Sequence, residues 1–136
     1  MTIMEFLNQV QELKGYIESR KREAECWRSM ARSISASNFE PHYNATRTTS
    51  AQYEKAIERA DEIERDIESK YADMVRVCDE INAKIDKLKN VEEQIVLRYR
   101  HVENLKWASI AKTMHYSRST VSRIYNDAIN HLSEFL

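Results

Sequence analysis

Gly15 and Pro41 are the sole glycine and proline in this 136-residue chain. Compact β and α/β folds need many tight turns, and tight turns draw on these two residue types. A chain so poor in both is expected to consist of long helices with few connections. A length of this order holds one ordinary domain, or a small domain with an extended helical arm. With 42% hydrophobic and 32% charged residues, the helices should have narrow buried seams and wide solvated faces.

Apolar or small residues recur at Ile3, Phe6, Val10, Leu13, Ile17, Ala24, Trp27, Ala31 and Ile34, with Arg20 interrupting the series. A second series runs Tyr53, Ile57, Ala60, Ile67, Tyr71, Met74, Cys78, Ile81, Ile85 and Leu88, with Glu64 at its interruption. Alternating steps of three and four keep one stripe facing a partner helix, as in a coiled coil. Between the two series, residues 35–50 are rich in Ser, Thr and Asn and contain Pro41, which suits a loop. The expected arrangement is a long antiparallel hairpin over residues 1–90, with helices at about 2–34 and 51–89. Setting Arg20 opposite Glu64 pairs the two interruptions and avoids an unpaired charge in the seam. The partner helix can equally come from a second chain, which would make a homodimer.

Net charge is −1, yet from Asn104 to Asn126 the charged residues are Lys106, Lys112, Arg118 and Arg123, with no acid. Cys26 and Cys78 follow no recognisable spacing. Residues 1–5 lack the features of a signal peptide, and no apolar run approaches the roughly 18 residues of a membrane span. A reduced protein of the cytoplasm, away from the membrane, is expected.

From Val91 the pattern changes. Residues 91–100 read as a short amphipathic helix, residues 105–114 as a second, and residues 115–117 as a tight turn. Ser117 is placed to cap a third helix beginning at Arg118. A helix-turn-helix needs a small residue where its helices cross, apolar residues around the turn and an aliphatic lock on the second helix. Ala111 is the small residue, flanked by Ile110 and Met114, with Tyr116 after the turn and Val121 and Ile124 as the inward face. The turn calls for a left-handed backbone, which falls here on His115 rather than glycine.

Ile110-Ala111, the run from Tyr116 to Ile124, and Ala128-Ile129-Asn130-His131-Leu132 resemble region 4 of bacterial sigma factors. The layout as a whole is similar to the small phage-encoded late-gene regulators of the ArpU and RinA type, in which a helical part precedes such a module. The motif likeness covers the last third of the chain. The resemblance implies an all-α regulator of phage or prophage genes, acting in the bacterial host cytoplasm.

With Val121, Ile124, Ala128 and Leu132 turned inward, Arg118, Ser119, Ser122, Arg123 and Asn126 point out. These are the expected base contacts in the major groove, since Arg can pair bidentately with guanine and Asn with adenine. Lys106, Lys112, Tyr116 and Thr120 are the expected phosphate contacts, which set orientation. Trp107, Tyr99 and Tyr125 read as core or interface.

No catalytic constellation stands out. His42, His101, His115 and His131 have no Cys or carboxylate partners at metal-ligand spacing, and a glycine-rich phosphate loop is absent. Neither an enzyme nor a bound cofactor or metal is expected. The expected function is sequence-specific binding of double-stranded DNA in transcriptional regulation. The rival readings are an adaptor, either structural or contacting RNA polymerase, and a DNA-packaging protein similar to a phage small terminase.

Overall fold

The structure is a computed structural model that describes residues 1–37 and 46–136, with the side chains of residues 1–36 and 49–136. Part of the expected loop, including Pro41 and His42, lies outside the described residues. The fold is all-α: α1 (Ile3–Ser37), α2 (Thr46–Ile85), α3 (Val91–Leu97), a π-helical turn (Arg98–Val102), α4 (Trp107–Met114) and α5 (Arg118–Ser133). Both long helices extend past the expected limits into the polar segment between the two apolar series. A reciprocal cap starts α1: Thr2 Oγ1 accepts from the Glu5 amide at 3.2 Å, and Glu5 Oε2 accepts from the Thr2 amide at 3.0 Å.

The chain divides into two compact units. One joins Met1–Leu13 to Asp73–Leu136, and the other is Lys14–Ala72. This division cuts the chain elsewhere than at residue 90.

In the unit Lys14–Ala72, two helical segments pack antiparallel over a seam of Ile17, Ala24, Ala31, Ala56, Ala60, Ile63 and Ile67. Ile63, rather than Glu64, occupies the seam step between Ala60 and Ile67. Glu64 is thereby freed to bind Arg28, through Nε at 2.9 Å and Nη2 at 2.7 Å, while Nη2 also donates to Asp61 at 3.0 Å. Arg20 donates instead to Asp66 at 3.1 Å and Glu23 at 2.6 Å, and Tyr16 donates to the same Asp66 oxygen at 2.6 Å. The expected Arg20–Glu64 pairing is thus replaced by Arg20–Asp66 and Arg28–Glu64. The shift has a simple cause: one residue is a 100° rotation, and the seam keeps an isoleucine at the cost of moving an acid to its edge. At that edge the Arg28 hydrogen bond holds Glu64 below the usual carboxylate range, and the Tyr16 phenol, helped by Arg20, does the same for the half-buried Asp66.

In the other unit, Phe6, Leu7 and Val10 from the start of α1 join Val77, Ile81, Ile85 and Leu88, together with Leu97, Ala128 and Leu132, in one apolar cluster. Leu7, Ile81, Ile85, Ala128 and Leu132 are fully buried. A second cluster holds Val96, Ile110, Ala111, Val121 and Ile124, bordered by Tyr99, Leu105, Trp107, Met114 and Tyr125. The helix-turn-helix residues expected to face inward do so.

The π-helical turn is where this unit is pinned together. Its widened register is seen in the Glu103 amide, which donates to the Arg98 carbonyl at 3.0 Å. Arg98 reaches back to Asn82 at 3.0 Å and to Asp86. His101, only 4% exposed, shares a hydrogen bond with the Tyr125 hydroxyl at 2.8 Å and lies near the Leu7 backbone. Burial, reinforced by nearby Arg100, pushes the His101 imidazole down to about 4.

Candidate nucleic-acid interface

The turn between α4 and α5 is built as the local sequence demands. His115 adopts φ 60°, ψ 35°, the left-handed conformation. Its amide donates to the Lys112 carbonyl at 3.3 Å, and the Tyr116 amide donates to Ala111 at 3.1 Å. These two bonds form a Schellman closure, which satisfies carbonyls that the helix end would otherwise leave unpaired. Ser117 then opens α5, its hydroxyl accepting from the Thr120 amide at 3.2 Å.

A side chain in this conformation costs about 1 kcal/mol relative to glycine. His115→Gly is therefore expected to keep the fold and to melt at the same temperature or a few degrees higher. A clear drop in melting temperature would count against this account of the turn.

Val121, Ile124, Ala128 and Leu132 bury one stripe of α5. Arg118, Ser119, Ser122, Arg123 and Asn126 are all exposed on the remaining arc. Among the described residues, Arg118, Ser122, Arg123 and Asn126 have no side-chain hydrogen bond or ion pair, whereas Ser119 lies 3.2 Å from the Ser117 hydroxyl. The expected base contacts thus share one solvated face over the first half of α5.

The expected phosphate contacts are more scattered. Lys106 and Lys112 are exposed. Thr120 is half-buried and shares a hydrogen bond with Ser117 at 2.9 Å. Tyr116 donates its phenol to Glu92 at 2.6 Å, and that bond raises its pKa. Tertiary folding therefore brings an acid beside a segment that has none in its own sequence.

Sequence reasoning missed Arg100. Its guanidinium lies 4.6 Å from the Trp107 ring centre and donates to the Leu105 carbonyl at 3.0 Å. This adds a cation next to the start of α4. Its position depends on the π-helical turn, which no periodicity announces. A second missed feature is Glu93, 4% exposed, whose carboxylate takes His131 Nδ1 at 2.9 and 3.0 Å. The interaction ties α3 to α5 and raises the His131 pKa.

Among the described residues, no group of His, Cys, Asp and Glu is arranged to hold a metal ion. Among those same residues, no helix is long and apolar enough to cross a membrane. A family model described as "Protein of unknown function (DUF1492)" matches residues 44–133, more than half of the chain, and the chain belongs to that family. No curated protein and no solved structure matches it.

Proposed function

We propose that this DUF1492 chain binds double-stranded DNA sequence-specifically and regulates transcription, with α5 lying in the major groove. The observation that carries this reading is the exposed arc of Arg118, Ser122, Arg123 and Asn126. The arc stands opposite the buried stripe of α5, and among the described residues its side chains carry no hydrogen bond or ion pair. An arginine fork on guanine O6 and N7 and an asparagine amide on adenine N6 and N7 are the pairings such a face can make. Lys106, Lys112 and Arg100 supply charge for the flanking phosphates. The resemblance to sigma region 4 and to ArpU- and RinA-type regulators points to control of phage or prophage genes in a bacterial cytoplasm.

A second reading, an adaptor contacting RNA polymerase or another chain, draws on the unit Lys14–Ala72. There Met30 is 50% exposed, and Tyr16, Tyr53 and Tyr71 are exposed as well.

Selection of duplexes from a random library separates the two. Wild type is expected to enrich one motif. Arg118→Ala and Arg123→Ala should each relax it at one position, a loss of about 1–3 kcal/mol in discrimination per contact. Two enriched half-sites would report a dimer and its spacing. Binding without enrichment that disappears at moderate salt would leave only phosphate attraction and favour the adaptor.

A further inference from the structure

A recess of about 300 Å³ opens beside the reading face of α5, lined by Trp107, Arg118, Val121, Ser122 and Tyr125. On α5 the lining residues fall at steps of three and four, so the recess runs along the edge where the buried stripe meets the exposed arc. Two of them, Arg118 and Ser122, are residues to which the proposed function assigns base contacts.

The floor is apolar. Val121 is 1% exposed and contributes its isopropyl group. The Trp107 and Tyr125 rings meet edge to face, with centres 4.7 Å apart. The Tyr125 hydroxyl is engaged by His101 at 2.8 Å, which leaves the ring as its contribution to the lining. Arg118 puts a cation in the lining, and Arg100 lies 4.6 Å from the Trp107 ring centre.

An apolar floor with a cation in the lining suits an apolar group carried on a polyanion. In the major groove that group is the C5-methyl of thymine. A recess of this size admits the whole methyl-bearing edge of the base. The geometry points to a thymine-reading site: the recess takes the 5-methyl edge of a thymine adjacent to the base read by Arg118. This inference rests on the DNA-binding reading above and adds a base identity to it.

The test alters the DNA first, which leaves the protein's fold untouched. In the enriched duplex, each thymine is replaced in turn by deoxyuridine, which removes one methyl group and keeps every hydrogen-bonding atom. One thymine, next to the position that Arg118→Ala relaxes, is expected to lose about threefold to tenfold in affinity, the worth of one buried methyl. Ser122→Leu sets a branched side chain at the mouth of the recess from an exposed helical position, and its melting temperature reports that the fold is intact. In that variant the thymine-to-uracil affinity ratio should fall towards one, whatever the change in overall affinity.

An enriched site with no thymine beside the Arg118 position would overturn the inference. So would neutrality of every deoxyuridine substitution, or a methyl effect undiminished in folded Ser122→Leu. In these cases relaxation of the motif by Arg118→Ala leaves the DNA-binding reading standing. If wild type enriches no motif at all, that reading itself fails.

Discussion

A fragment spanning residues 91–136 is expected not to fold, although it contains the entire helix-turn-helix. The apolar cluster that includes Leu97, Ala128 and Leu132 is completed by Phe6, Leu7 and Val10 from the start of the chain and by Val77, Ile81, Ile85 and Leu88. Burying those seven side chains is worth on the order of 10–20 kcal/mol. That equals or exceeds the whole stability of an ordinary domain. Without them Leu97 and Leu132, both fully buried in the chain, would face water. The Arg98 bond to Asn82 would be lost as well. Far-ultraviolet circular dichroism of the fragment should show no cooperative melt, whereas the full chain should show one. A fragment melting at the same temperature as the full chain would refute the role given to residues 1–13 and 73–90.

The second large effect is on acid stability. The His101 imidazole sits at about 4 in the folded chain, against 6.5 for a free histidine. Between those values the unfolded state binds the extra proton, so stability falls as pH falls. The contribution is fully present above about 6.5 and is lost progressively towards 4. It amounts to about 3 kcal/mol at its limit, since one pKa unit corresponds to about 1.4 kcal/mol. His131 acts in the opposite direction. Its hydrogen bond to Glu93 raises its pKa. It therefore favours the fold at low pH, and that contribution fades as pH rises through the raised value. Urea midpoints measured between pH 7 and 4.5 should decline, and His101→Gln, which can still bond Tyr125, should flatten the decline. An unchanged pH slope in His101→Gln would mean that His101 is not the group responsible.

Both predictions involve some residues whose importance the sequence concealed, for definite reasons. Leu7 is adjacent to Phe6, Val77 to Cys78 and Ala56 to Ile57. Where two apolar residues are neighbours, three-four spacing accepts either one. Here Leu7 joins Phe6 in the core, Val77 is buried more deeply than Cys78, and Ala56 more deeply than Ile57. Which residue is buried depends on the surface that arrives from a distant part of the chain. The Arg20–Glu64 expectation failed through the same one-residue ambiguity, once Ile63 had claimed the seam. Glu93 and His101 look like ordinary polar residues in one dimension, because their burial depends on Leu7, Tyr125 and His131 being brought to them.

Other features were legible because their causes are local. The shortage of glycine and proline already required an all-α chain. The spacing of Ile110, Ala111, Met114, Val121, Ile124, Ala128 and Leu132 picked out the inward face of the module. The short link between α4 and α5 required a left-handed residue, and His115 adopts that conformation. The solvated arc of Arg118, Ser122, Arg123 and Asn126 followed from the same 3.6-residue period. Only tertiary structure decided what covers the back of the module, which acid reaches Tyr116 and where Arg100 sits. The periodicity of a helix specifies that a face is buried, but the partner that buries it is chosen by packing among segments as far apart as residues 7 and 132.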